Sequence, residues 1–184
     1  MNITETELPG LFIITPRVYE DSRGYFYESY NKLSMIDKGL TTEFVQDNQS
    51  KSSYGVIRGL HYQLSPHAQT KLVRVMEGNI YDVVVDIRQG SPTYGKAFGI
   101  ELSSDNKKQL YVPKGFSHGF SVLSNIAVVF YKCDYIYTPS AEGGIRYNDP
   151  LLNIDWKVDS SKALVSQKDS NLPLLKDAVF NFTY

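Results

Sequence analysis

Short runs rich in β-branched and aromatic residues, each closed by a turn signal, recur about every 8–12 residues from Phe44 onward, and a chain so interrupted has room for strands but not for the helices that a parallel α/β sheet requires. The series is Leu72–Met76, Ile80–Ile87, Ala97–Leu102, Leu110–Val112, Phe116–Leu123 and Ala127–Tyr137, broken by Gln89-Gly90-Ser91-Pro92 and by Ser103–Asn106. Glu77-Gly78-Asn79 reads as a hairpin-like connection between the first two runs. Nearer the N-terminus, Leu11–Ile14 is an apolar run, Asp21-Ser22-Arg23-Gly24 is turn-like and Tyr25–Tyr30 is strand-like, because Asp and Ser bond their own backbone and Gly tolerates positive φ. Helical signals are few: a short helix from Asn31 stopped by Gly39, and another after Lys162 through Ala163-Leu164-Val165 and Leu172–Ala178. The expected fold is all-β, an antiparallel jelly-roll β-barrel with a few short peripheral helices.

Composition narrows the class. A chain of 184 residues without repeat or linker is expected to form one domain over residues 1–184, burying roughly 70% of its unfolded surface. Its 14 Tyr and 9 Phe suit half-buried pleated surfaces. A net charge of -1 argues against a general nucleic-acid binder, which needs a sustained basic face. A single cysteine, Cys133, excludes an internal disulfide framework and a multi-cysteine metal site. The first ten residues lack the basic and apolar regions of a signal peptide, and no apolar run approaches membrane-spanning length; no membrane partner and a cytoplasmic location are expected.

Chemistry gathers in Gly55–Met76. No Asp or Glu occurs between Asp47 and Glu77, while Lys51, Arg58, Lys71 and Arg74 do, interleaved with apolar residues. Cations held in a packed segment need a compensating charge, and an anionic ligand would supply it. His61, between Leu60 and Tyr62, is either a hydrogen-bonded core histidine or a base; Arg58 and Lys71 disfavour its protonated form, as a general base requires. His118 stands in Pro113-Lys114-Gly115-Phe116-Ser117-His118, the second half of a cupin metal signature. The first half is missing: His61 is followed by Gln63, and His67 has no acid near it before Glu77, a poor match to a metal site. His67 reads as an exposed loop residue. Tyr131, Tyr135 and Tyr137 share one face of a regular strand, with Cys133 among them, and form a wall, an acid or a stacking surface. No phosphate loop, dinucleotide fingerprint or nucleophile elbow occurs. The residues alone therefore reach a metal-independent β-barrel with a cationic pocket, suited to acid/base chemistry on an anion.

Seven segments, in order along the chain, resemble those of the dTDP-4-dehydrorhamnose 3,5-epimerase family: Asp21–Glu28, Gln46–Ser50, Arg58–Gln63, Gln69–Arg74, Asp82–Arg88, Pro113–Phe120 and Ser166–Asp169. The resemblance implies a cupin-like jelly roll, typically a homodimer, with no metal or other cofactor, converting dTDP-4-dehydro-6-deoxy-D-glucose into dTDP-4-dehydro-L-rhamnose. It implies roles as well. His61 matches the general base, Asp169 the carboxylate that orients it, Lys71 the cation beside the developing oxyanion, and Tyr131 the acid on the opposite face. Arg23 and Arg58 match diphosphate contacts, and Glu28, Gln46, Asp47 and Asn48 match nucleotide contacts. Tyr137 matches the aromatic that stacks on thymine, and His118, Glu142 and Lys168 match further substrate contacts. A relative that inverts only one carbon, a barrel that merely binds a nucleotide or glycan, and a metal-dependent cupin are the competing readings. The joint presence of His61, Asp169, Lys71 and Tyr131 speaks against the second, and the histidine spacing against the third.

Overall fold

The computed structural model describes residues 1–184. Its strands are β1 (Asn2–Glu5), β2 (Phe12–Thr15), β3 (Val18–Asp21), β4 (Gly24–Tyr27), β5 (Gln46–Ser53), β6 (Val56–Gln63), β7 (Lys71–Glu77), β8 (Asn79–Asp86), β9 (Ala97–Ser103), β10 (Gln109–Val112), β11 (Phe116–Val122), β12 (Ile126–Cys133), β13 (Glu142–Gly144) and β14 (Leu164–Val165). Two short helices, α1 (Lys32–Ile36) and α2 (Gln167–Ser170), and three single 3₁₀ turns complete it. The all-β expectation holds. The strands form two separate sheets rather than one closed cylinder: β1-β2-β10-β7-β12-β5 face β13-β6-β11-β8-β9, to which β14 adds by pairing with β6, and β3-β4 form a small ribbon.

Alternation along the strands sends one set of side chains between the sheets. Val73, Val75, Leu110, Val112, Ala127 and Val129 from the first sheet meet Ile80, Val84, Leu102, Phe116, Phe120 and Val122 from the second in one buried cluster. The outer face of the second sheet is covered by the C-terminal segment, where Leu152, Trp156, Leu175 and Phe182 pack on Ile57, Val83, Val85 and Ile87. The outer face of the first carries α1 and the turn after it, through Met35 and Leu40, against Ile14, Leu72 and Tyr111. Asn31 caps α1 by accepting from the Ser34 N–H, and Gly39, at φ +84°, ends the segment.

Three local expectations need correction. Glu77-Gly78-Asn79 joins β7 and β8, but the two do not pair: β7 lies between β10 and β12, β8 between β11 and β9. The link is a crossing between sheets. Local alternation identifies which face of a strand is buried but not which strand lies beside it. Ala163-Leu164-Val165 is not helical, because the Leu164 N–H donates to the Gly55 carbonyl at 2.8 Å and β14 runs parallel to β6. The aromatic strand stops at Cys133. Asp134 turns its carboxylate onto the Thr70 N–H at 2.7 Å, a local side-chain bond that competes with the ladder.

The crossing at Gly78 depends on its lack of a side chain. Its φ is +80°, and a Cβ there would overlap the Ile126 carbonyl and Ser124 Oγ. Gly78→Ala is therefore expected to destabilise the fold by about 2 kcal/mol or more, measured as a lowered urea midpoint with unchanged slope.

Candidate active site

At one end of the sandwich the inner faces separate around a cavity of about 700 Å³, lined by His61, His118, Asp169 and Arg58 on one side and Lys71 and Tyr131 on the other. Hydrogen-bonded strand pairing sets the first group. His61 of β6 is the cross-strand partner of His118 of β11, so both imidazoles stand on the inner face of the second sheet. Gly59 and Gly119 allow this approach: a Cβ on Gly59, at φ +126°, would meet the Gly119 backbone. The first sheet supplies the opposing wall. Tyr131 of β12 pairs with Val73 of β7 and Asn48 of β5, while Lys71, at the start of β7, pairs with Cys133.

Asp169 comes from α2, where the Ser166 hydroxyl accepts from the Asp169 N–H at 3.0 Å as an N-cap. Asp169 is 5% exposed. One carboxylate oxygen meets His61 Nε2 at 2.9 Å, and the other accepts from the Gly59 N–H at 3.1 Å. Burial alone would push this carboxyl up, but the bonds from His61, Gly59 and Ser166 outweigh it and hold the carboxyl below its usual range. An ionised acceptor on Nε2 fixes the proton there and leaves Nδ1 as the basic edge of the ring. His118 is arranged alike: its Nε2 lies 2.9 Å from both oxygens of Asp82, a fully buried residue of β8.

The opposite wall is tuned differently. Burial pushes the Tyr131 phenol up, with Cys133 adding to this and Arg58 opposing it, so the hydroxyl keeps its proton and is an acid. Burial pushes the Lys71 ammonium down, against the fields of Cys133, Asp82 and Glu142. Its Nζ lies 5.8 Å from the centre of the Tyr131 ring. Cys133 itself is pushed up to about 11 by burial, which keeps it a thiol.

A polar chain rims the cavity. Lys168 Nζ meets both Glu142 oxygens at 2.7 Å, and the Tyr137 hydroxyl donates to Glu142 at 2.8 Å. The Tyr137 N–H donates to Gln46 Oε1 at 2.9 Å, Gln46 donates to Asn48 at 3.0 Å, and Arg58 Nε donates to Ser52 at 3.0 Å. Gln46, Asn48, Arg58, His118, Tyr137, Glu142 and Lys168 are thus gathered with His61, Lys71, Tyr131 and Asp169. Three expected residues are not. The Asp47 side chain points to the outer face, where it binds Lys132 at 2.9 Å. Arg23, in the β3–β4 turn, binds Asp21 at 2.6 Å and is 87% exposed, and Glu28 accepts from Asn31 at 2.9 Å beside another surface hollow.

His67 is half-buried rather than exposed, edge-on to Tyr135 and 3.3 Å from the Thr138 hydroxyl. It stands apart from the other two histidines, and nowhere do three His, Cys, Asp or Glu side chains converge as a metal site requires. Sequence reasoning missed Asp82, although an acid inside the apolar alternation Ile80-Tyr81-Asp82-Val83-Val84 was the signal that could have marked it.

The family model of dTDP-4-dehydrorhamnose 3,5-epimerase matches residues 5–177. The enzyme of that name from Shigella flexneri is 49% identical over 179 residues, covering 97% of this chain and 98% of its own. The crystal structure of the Elizabethkingia anophelis enzyme superposes with a TM-score of 0.92 at 53% identity, over 96% of this chain and 97% of that one. That of dTDP-6-deoxy-D-glucose-3,5-epimerase from Legionella pneumophila, in complex with dTDP-4-keto-L-rhamnose, gives 0.91 at 48% identity, over 96% and 93%. With its match spread along nearly all of its length, the chain belongs to the dTDP-4-dehydrorhamnose 3,5-epimerase family.

Proposed function

We propose that this chain converts dTDP-4-dehydro-6-deoxy-D-glucose into dTDP-4-dehydro-L-rhamnose by proton removal and return at C3 and C5, without metal or other cofactor. The observation that carries the reading is the placement of His61 and Tyr131 on opposed sheets across one cavity. Inverting a carbon next to a ketone requires a proton to leave one face of the planar enolate and another to arrive on the opposite face. A single base would return the proton to the face it left.

The roles follow from the tuning described above. His61 Nδ1 takes the proton α to the 4-keto group, and Asp169 steadies the imidazolium that forms. Lys71 stands against the 4-oxygen, where a preorganised positive charge is worth most as the enolate develops. Tyr131 gives its proton to the far face. The net change is stereochemical alone, and solvent returns a proton to Tyr131 and removes one from His61. Arg58 holds the diphosphate, for which a planar guanidinium is suited. Tyr137 stacks on thymine, and Gln46, Asn48, His118, Glu142 and Lys168 make the remaining contacts, with Asp47 contributing through its backbone.

Tyr131→Phe separates the two half-reactions. Wash-in of solvent deuterium at the abstracted position is expected to continue within about tenfold of wild type while L-sugar formation falls by at least about 10²-fold. Exchange and product falling together would remove Tyr131 from its assigned face.

Arg23 and Glu28 serve the site from a second copy of the chain. Support comes from the ribbon β3–β4, which exposes Tyr19, Tyr25 and Phe26 at 52%, 57% and 70%, an apolar arm suited to another protein surface. A homodimer follows, and sedimentation is expected to give twice the chain mass, with Phe26→Asp shifting it toward the monomer. The fold is read as a cupin-like jelly roll in one domain, residues 1–184, supported by the way β5 to β8 and β9 to β12 alternate between sheets. No helix is long and apolar enough to cross a membrane, and a nucleotide-sugar substrate fits a cytoplasmic enzyme.

A further inference from the structure

We infer that Gln63 is a positioning residue of this site, a side-chain clamp that holds the arm carrying Tyr137 in place before the nucleotide arrives. The inference deepens the function proposed above and rests on it, since Tyr137 is there the surface for thymine. Between Asp134 and the 3₁₀ turn at Pro139–Ala141 the chain leaves the sheets, and residues 135–137 make no main-chain to main-chain hydrogen bond. Backbone groups without a ladder need other partners. Three glutamine side chains supply them. Gln69 Nε2 donates to the Tyr135 carbonyl at 2.8 Å, and Gln46 Oε1 accepts from the Tyr137 N–H at 2.9 Å. Gln63 does both at one residue: its Nε2 donates to the Thr138 carbonyl at 2.6 Å, and its Oε1 accepts from the Thr138 N–H at 3.1 Å.

Placement sets Gln63 apart from the other two. It is the last residue of β6 and is buried, at 5% exposure, whereas Gln46 and Gln69 are half-buried. A buried amide is unfavourable unless it is bonded, and an aliphatic side chain would fill the same space without that penalty. Here the amide stands in for a neighbouring strand, exchanging two bonds with one residue as paired antiparallel strands do. The main chain of Gln63 pairs with Glu142 of β13, and the next N–H, of Leu64, donates to the Ala141 carbonyl at 2.8 Å. Thr138 and Glu142, at the two ends of the turn, are thus both fastened to Gln63, one by its side chain and the other by its backbone. The Tyr137 hydroxyl closes the loop on Glu142, which meets Lys168 at the cavity. Tyr137 is 44% exposed, so these bonds, rather than burial, hold its ring at the rim. His61, two residues earlier on β6, is held separately by Asp169, which leaves the proton-transfer chemistry independent of the clamp.

The test is a double-mutant cycle on dTDP affinity, read by calorimetry, with Gln63→Met, Tyr137→Ala and the two combined. Methionine keeps the length of the side chain and removes both bonds to Thr138. Gln63→Met is expected to weaken dTDP by about tenfold, the scale of one base–aromatic stacking contact. KM should rise in proportion, with kcat within about threefold of wild type. Because Gln63 acts through Tyr137, the same substitution in the Tyr137→Ala background is expected to change affinity by less than about twofold. Unchanged dTDP affinity in Gln63→Met, an equal loss in both backgrounds, or a fall in kcat at constant KM would overturn the assignment. Should Gln63→Met not fold, hydrogen exchange of the unaltered protein decides. The Thr138 amide is expected to be protected without dTDP, and protection appearing only once dTDP is added would overturn the clamp. Wild type that fails to bind dTDP, or Tyr137→Ala that binds it as wild type does, would instead remove the nucleotide-binding reading on which the inference rests.

Discussion

His61→Ala is expected to lower kcat by about 10²–10⁴-fold, the range lost when a positioned general base is removed, while the protein stays folded and still binds dTDP. The folded state should tolerate the change because His61 sits at the cavity wall with its side chain 31% exposed, so truncation opens space to solvent rather than a sealed void. Both epimerisations begin with proton removal next to the same ketone, so deuterium exchange should fall with product formation. This distinguishes His61 from Tyr131, whose loss separates the two. Asp169→Asn should lower kcat in the same direction by a different route. The amide no longer holds the proton firmly on Nε2, and part of the population presents the protonated edge of the ring to the substrate. Near-normal turnover in His61→Ala would sink the mechanism.

Lys71→Met is expected to lower kcat by about 10²–10³-fold, the cost of removing one preorganised donor from a developing oxyanion. Methionine keeps much of the stem's volume and removes the ammonium, so the loss reads charge rather than packing. KM should change far less than kcat, because the charge on the 4-oxygen appears only as the enolate forms. A rise in KM with kcat retained would make Lys71 a ground-state contact of the sugar.

Much of this site is visible in the sequence because its parts are local. Arg58 and His61 lie on one strand, Lys71 opens the next, and Lys168-Asp169 is contiguous. Strand positions were equally legible, since β-branched runs between turn signals demand extended backbone. What sequence could not supply was partnership. The link at Gly78 looks like a hairpin from its residues, yet its strands enter different sheets. The Tyr131–Tyr137 series looks like one face, yet the strand ends after Cys133, where the Asp134 carboxylate accepts from the Thr70 N–H, leaving Tyr137 to reach the rim from a loop. Asp82 escaped notice for the same reason: its partner, His118, lies 36 residues away and is brought near by sheet pairing. Arg23 and Glu28 carry the family pattern in sequence but stand away from the cavity of their own chain, in and beside a ribbon whose place relative to the cavity no local pattern encodes.

The most direct test is a proton NMR time course in D₂O with the purified protein and dTDP-4-dehydro-6-deoxy-D-glucose, run with and without a chelator and with a downstream reductase to trap the L-sugar. The account predicts deuterium entering both C3 and C5, L-sugar accumulating, and rates unchanged by the chelator. Exchange at one carbon alone, or exchange abolished by the chelator, would contradict it.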